Sequence, residues 1–208
     1  PNWTIVALCD KAKPLVESAA AILGQPDVKC FTSYNQMVAS VPMDALFIAI
    51  DPNIQAEMAC DAMKRGLHVT TEVPAAYTIA QCRELVDTVE KAGVKYQLCE
   101  QTRYWGFIQQ WRAMAQRGDF GKILFMEGEY LHYEKYWNFW VDPASGELFS
   151  GAKPPVGRNT VPTWRNTTFN HPIYYLPHEL SPLLSIIDDR VTKVSCMGTR
   201  PESYHTEG

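Results

Sequence analysis

From Thr4 to Gly121 the chain alternates short apolar runs with helix-like stretches, and that beat admits few folds. Thr4 to Cys9 is unbroken and apolar and stops at Asp10, the pattern of a parallel strand buried on both faces. A helix pattern follows, with Pro14 in its first turn, an Ala-rich middle and Gly24 as its stop. Val28 to Phe31 and Asp44 to Ile50 read as the next strands, with a short helix at Ser33 to Ala39 between them. Asp51-Pro52-Asn53 predicts a helix start, with Asp51 as N-cap and Pro52 in the first helical position, and Gly66 stops that helix after Arg65. Leu67 to Thr71 is a further strand. Thr78 and Gln81 stand at capping-box spacing before a helix whose buried face is expected to be Ile79, Cys82, Val86 and Val89. Lys95 to Cys99 is the last strand of the series, and Tyr104 to Arg117 an amphipathic helix ended by Gly118. Such a βαβα series winds right-handed into a parallel sheet with helices on both faces.

Beyond Gly121 the pattern changes. Lys122 to Tyr133 alternates like a longer strand with one solvated face. Glu134 to Pro172 is dense in Pro, Gly, Asn and Trp and reads as a long loop, which Trp137, Phe139, Trp140 and Trp164 mark as ordered. A helix from about Tyr175 to Ile187 and a strand from Val191 to Met197 complete the pattern. The expected organisation is a βαβα part over 1–120 and an α+β part over 121–208. The chain opens at Pro1, close to a strand, and reads as part of a longer protein.

Charge narrows the partners. Lys and Arg number 19 against 23 Asp and Glu, a net charge of −4 with no basic block, which argues against nucleic acid or an anionic membrane surface. No apolar run approaches the ~20 residues that span a bilayer. Six cysteines, at 9, 30, 60, 82, 99 and 196, form no C-x-x-C pair. At least four fall in apolar runs, where a thiol behaves as a small buried hydrophobe, and this favours a reducing, cytoplasmic compartment. The sequons at Asn2 and Asn166 matter only in a eukaryotic secretory setting.

In a doubly wound sheet, ligands bind outside the carboxyl ends of the strands, so the residues that follow each strand are the candidates. They are Asp10, Asp51-Pro52-Asn53, Glu72-Val73-Pro74 and Glu100-Gln101-Thr102-Arg103-Tyr104. Asp10 is placed either to accept hydrogen bonds from a ribose or to cap a helix. A glycine-rich G-x-G-x-x-G turn should precede such an acid by about 20 residues. None occurs, and Gly118-x-x-Gly121 precedes a strand instead of following one. Either the dinucleotide reading fails or the first strand and its turn lie outside this chain.

Glu72-Val73-Pro74-Ala75-Ala76, Glu100-Gln101-Thr102-Arg103-Tyr104 and Gly118-Asp119-Phe120-Gly121-Lys122-Ile123, in this order, resemble the Gfo/Idh/MocA family of NAD(P)-dependent oxidoreductases. The resemblance implies a Rossmann domain followed by an open-faced sheet that carries the substrate site and can pair subunits into a homo-oligomer. Ile48 to Asn53 resembles the family's cofactor-edge loop, and Gly66 to Val69 the strand before its Glu-Lys-Pro motif. Two departures stand out: Val73 replaces the motif's lysine, and Tyr174 replaces an Asp four residues before the histidine at 178, leaving His178 without that carboxylate. With Glu127 to His132 and Tyr175-Leu176-Pro177-His178, they are similar to the branch containing NAD-dependent α-N-acetylgalactosaminidases. Those enzymes oxidise a sugar transiently at C3, eliminate the aglycone, add water and reduce again.

The resemblance implies Tyr175 and His178 as catalytic residues. It implies Asp10, Asp51, Pro52, Asn53, Glu72, Val73, Pro74, Glu100 and Gln101 as cofactor contacts, and Arg103, Tyr104, Tyr130, Trp164 and Arg165 as substrate contacts. Asp10 favours NAD over NADP, because a carboxylate repels a 2′-phosphate; the adjacent Lys11 weakens that preference. His132 and His171 read as surface or loop residues, and Trp137 with Trp140 as a sugar-stacking platform, an interface or a minor core. His178-Glu179 lacks a second histidine at metal spacing, so no metal is expected. The leading expectation is hydride transfer on a sugar or sugar-like polyol. The alternatives are an NAD-retaining glycoside hydrolase and a non-catalytic binding protein on the same fold.

Overall fold

The structure is a computed structural model and describes residues 3–131, 138–167 and 172–198. The chain divides into two compact units, Pro1–Glu100 with Glu129–His178, and Gln101–Gly128 with Glu179–Gly208.

In the first unit, β1 (Ala7–Cys9), α1 (Lys13–Leu23), β2 (Lys29–Phe31), α2 (Tyr34–Ser40), β3 (Ala45–Ile48), α3 (Pro52–Lys64), β4 (His68–Thr71), α4 (Ile79–Ala92) and β5 (Tyr96–Leu98) alternate as the sequence predicts. All pairings among these strands are parallel. They form two sheets, β1-β2 and β3-β4-β5, and among the described residues β1 and β3 each keep an unpaired edge. The fold is α/β, with the Rossmann-type alternation of strand and helix. The core lies where α3 packs on β3 and β4: Ala56, Ala59, Cys60 and Met63 meet Ile48, Val69 and Leu85. The alanines let the α3 backbone approach the sheet closely, and full burial of Met63 contributes about 1.5–3 kcal/mol.

Capping explains the helix starts. Thr78 Oγ1 accepts from the Gln81 amide while Gln81 Oε1 accepts from the Thr78 amide, so the capping box forms. Asp51 holds the N-cap position of α3, but its carboxylate makes no capping bond; Pro52 alone pre-sets the first turn.

The face assigned to α4 holds only at Val89, which packs against the core. Leu85 and Thr88 are buried, whereas Ile79 is 74% and Val86 55% exposed. Leu85 and Thr88 lie on the α3 side, and packing against α3 outweighs the stripe of larger apolar side chains. The cysteine expectation also fails. All six are unbridged, but only Cys60 is buried, Cys99 is half-buried, and Cys9, Cys30, Cys82 and Cys196 are exposed.

The long loop is partly structured. β6 (Phe139–Val141) pairs antiparallel with β7 (Leu148–Ser150) and β8 (Val161–Pro162), and α6 (Trp164–Thr167) follows. Trp140 sits in this sheet, its indole N–H donating to the Gly151 carbonyl at 2.9 Å. A 3-10 turn, Pro172–Tyr175, precedes α7 (Pro177–Ile187).

In the second unit, a 3-10 turn at Thr102–Tyr104 precedes α5 (Gly106–Arg117), which Gly118 ends at φ 80°. The strands predicted at 122–133 and 191–197 do not form over the described residues 122–131 and 191–197. Leu124 is 83%, Phe125 80% and Val194 75% exposed. A strand without a partner leaves its backbone groups unpaired, so alternation alone does not make one.

Candidate active site

β3, β4 and β5 are in register, with Ile48 beside Thr71 and Thr71 beside Leu98. The segments that follow them therefore start along one sheet edge. Gln55, in the first turns of α3 and 1% exposed, holds the middle segment: its Nε2 donates to the carbonyls of Glu72 at 2.6 Å and Pro74 at 2.8 Å. Gln81 adds a second clamp, accepting from the Tyr77 amide at 2.9 Å and donating to the Asn53 carbonyl at 3.2 Å. Pro74 is buried, Glu72 and Val73 half-buried and Asn53 exposed. At the end of β1, Asp10 is exposed, and Oδ1 accepts from the Ala12 amide at 2.8 Å. This is a local turn, two residues before the N-cap Ala12, and it steadies the carboxylate at the strand end.

Glu100, the second residue after β5, makes the decisive contact. His178 Nδ1 lies 2.7 Å from Glu100 Oε2, with the side chains 8% and 4% exposed. The buried carboxylate lies against the Nδ1 side of the ring, leaving Nε2 on the other side. His178 thus has a carboxylate after all, supplied by the adjacent strand end and not by its own helix. Burial together with the neighbouring Glu72 and Glu100 charges pushes the Cys99 thiol pKa up, so this cysteine stays a thiol.

Around His178 the sequence-predicted residues converge. Tyr130 stacks on Tyr175, with ring centroids 5.6 Å apart, and on His178 at 5.1 Å. The Tyr175 and His178 rings are 5.8 Å apart. Arg165 lies 4.5 Å over the Trp164 ring and donates to the Tyr175 phenol oxygen at 3.4 Å. The cluster thus holds an imidazole, a carboxylate, two phenols and a guanidinium on an aromatic floor.

Sequence reasoning missed two residues here. Tyr77 and Tyr174 stack at 4.2 Å, and the Tyr174 hydroxyl donates to the Tyr77 carbonyl at 3.2 Å. Burial above all, with the Tyr174 and Tyr175 phenols, pushes the Tyr77 hydroxyl up to about 12. Tyr77 directly follows Glu-Val-Pro-Ala-Ala, and that adjacency was the available signal.

Gln101, Arg103 and Tyr104 belong to the second unit. There the Arg103 carbonyl accepts from Gln109 Nε2 at 2.6 Å, and the Arg103 guanidinium lies 5.6 Å from the centre of the Tyr104 ring. His132, Trp137 and His171 lie outside the described residues. Among the described residues, no group of three His, Cys, Asp or Glu side chains is placed to hold a metal ion.

Parallel strands whose carboxyl ends carry an exposed acid and clamped loops are the arrangement of a Rossmann-type α/β fold, and a histidine beside a buried carboxylate lies next to them. Residues 1–99 match the oxidoreductase family GFO_IDH_MocA, described by its NAD-binding Rossmann fold.

Among curated proteins, glycosyl hydrolase family 109 protein 1 of Bacteroides thetaiotaomicron is 35% identical over 152 residues, covering 67% of this chain and 32% of its own. Glycosyl hydrolase family 109 protein 3 of Phocaeicola vulgatus is 28% identical over 96% of this chain and 37% of its own. The chain therefore spans about a third of the length of such relatives.

Among solved structures, the WlbA dehydrogenase of Bordetella pertussis, in complex with NADH and UDP-GlcNAcA, is 27% identical with a TM-score of 0.52, over 57% of this chain and 33% of that one. The myo-inositol 2-dehydrogenase of Lactobacillus plantarum is 26% identical with a TM-score of 0.54, over 58% and 35%. No helix among the described residues is long and apolar enough to cross a membrane.

Proposed function

We propose that the chain carries the cofactor edge and the acid–base residues of an NAD-dependent oxidoreductase acting by hydride transfer on a sugar or sugar-like polyol. The Glu100–His178 pair at 2.7 Å carries this reading, because an imidazole braced by a buried carboxylate is the arrangement a general base needs. The donor set fits a dinucleotide. Asp10 offers an exposed carboxylate to ribose hydroxyls, while Asp51 to Asn53 and Glu72 to Pro74 offer a clamped edge along the sheet. Gln101 is assigned with them.

NAD, when bound, supplies the hydride acceptor. His178 Nε2 takes the proton of the sugar hydroxyl, and Glu100 stabilises the imidazolium so formed. Tyr175, oriented by Arg165, holds that hydroxyl in place. Tyr130 and Trp164 present ring faces to sugar C–H edges, and Arg103 and Tyr104 are assigned to the substrate. Asp10 disfavours the 2′-phosphate of NADP.

A second reading is favoured by the Tyr175–His178 pair, two acid–base side chains with rings 5.8 Å apart, and by the similarity to family 109 glycosyl hydrolases. There the base would remove a C2 proton made acidic by a transient C3 ketone, the aglycone would leave with a proton, water would add, and the hydride held as NADH would return to C3. The test uses the full-length protein with nitrophenyl glycosides of N-acetylgalactosamine and with free sugars. Net NADH formation supports the dehydrogenase; nitrophenol release without net NADH supports the glycosidase. Either activity should vanish in His178→Ala with NAD binding kept. Turnover surviving in His178→Ala would sink both readings, and NAD binding with no turnover on any sugar would leave a binding protein.

A further inference from the structure

The segment that carries Tyr175 and His178 is short, and its orientation depends on what holds it. Consecutive residues of a 3-10 turn project about 120° apart, so Tyr174 and Tyr175 face different ways. Tyr175 turns to Tyr130 and His178, while Tyr174 turns to Tyr77. Only Leu176 and Pro177 separate Tyr175 from His178, and the fixed φ of Pro177 makes that link stiff. Rotation of the turn would therefore carry both rings with it.

We propose that Tyr174 is a positioning residue: its stack and hydrogen bond on Tyr77 lock the turn so that Tyr175 and His178 keep their mutual placement. Tyr77 is itself anchored, since its amide donates to Gln81, whose side-chain amide donates to the Asn53 carbonyl. One hydrogen-bonded path thus joins the cofactor-edge loop at Asn53 to the acid–base segment. Glu100 is an independent tether. Two anchors, Tyr77 beside the start of α4 and Glu100 just past β5, fix both the place and the rotation of the segment. One anchor would fix only its place.

The inference rests on the reading of Tyr175 and His178 as the acid–base pair, and the test separates the two. In the full-length protein, Tyr174→Phe keeps the stack and deletes the hydrogen bond, whereas Tyr174→Leu deletes both. Loss of one hydrogen bond predicts a three- to tenfold fall in kcat for Tyr174→Phe and a larger one for Tyr174→Leu, with KM and NAD affinity held within about twofold. The His178 ring signals in a histidine-labelled NMR spectrum should shift in both variants, and amide exchange over 172–178 should quicken. Tyr174→Phe is the deciding variant should Tyr174→Leu fail to fold. Unchanged His178 signals and exchange in Tyr174→Phe would overturn the proposal, as would a fall in NAD affinity matching the fall in kcat. Absence of turnover in the unmodified protein would overturn the reading of function; the NMR and exchange measurements would still decide the role of Tyr174.

Discussion

His178 draws its chemistry from a residue on another strand end. The Tyr-x-x-His spacing in the sequence marked Tyr175 and His178, but nothing local marked Glu100 as the partner: 78 positions separate the two, and only the closure of the fold brings the atoms to 2.7 Å. Replacing Glu100 with Gln keeps the shape and a polar contact while removing the charge that stabilises an imidazolium. By analogy with the Asp to Asn change in a catalytic triad, Glu100→Gln should lower kcat on the order of 10²–10⁴-fold with the fold retained. Turnover within a few-fold of the unmodified protein would mean that Glu100 only fills space.

Tyr77 gives a pH prediction at the same scale. Its hydroxyl is raised to about 12 in the folded protein from an ordinary value of 10, so the folded state holds this proton more tightly than the unfolded chain. Its contribution to stability is full below pH 10 and is lost as pH rises from about 10 to 12. Urea denaturation across that range should show a steeper alkaline loss for the unmodified protein than for Tyr77→Phe. Identical slopes would sink the assignment.

Elements were legible where their signal was local. Capping boxes, proline starts and glycine stops are written within a few residues, and α1 to α5 follow them. Strands depend on partners, and so the alternation at 122–131 and 191–197 misleads. The hairpin of β6 and β7 shows the opposite case, a turn with a strong local signature inside a stretch read as loop. Asp142 Oδ1 accepts from the Ala144 and Ser145 amides, and Gly146 closes the turn at φ 75°. A side chain at 146 would meet Leu15 Cγ at 2.8 Å and Ala12 Cβ at 3.1 Å. Leu15 is 44% exposed and can give way, but the left-handed backbone cannot be relieved in the same manner. Gly146→Ala should therefore cost about 1–2 kcal/mol in chemical denaturation. A neutral result would show that the turn re-forms in another conformation.

At the scale of the molecule, the apolar runs at Thr4 to Cys9 and Asp44 to Ile50 predict strands covered on both faces, and the structure covers them incompletely. Ile5 is 43% and Phe47 58% exposed. Among the described residues β1 pairs with β2 alone and β3 with β4 alone, which leaves each with an edge of unmatched N–H and C=O groups beside exposed apolar side chains. Sequence periodicity reports the environment for which a strand is composed, and here that environment is fuller than residues 1–208 by themselves provide. Unpaired edges of this kind template association with other chains. Residues 1–208 alone should therefore bind a hydrophobic dye and show a sedimentation coefficient that rises with concentration. Adding Lys at Phe47, within the exposed β3 edge, should reduce both effects, since a charge on an edge strand opposes edge-to-edge pairing. A dye-silent monomer across the same concentrations would mean that this chain covers both edges by a rearrangement of its own, and the half-site drawn along β3, β4 and β5 would have to be redrawn with it.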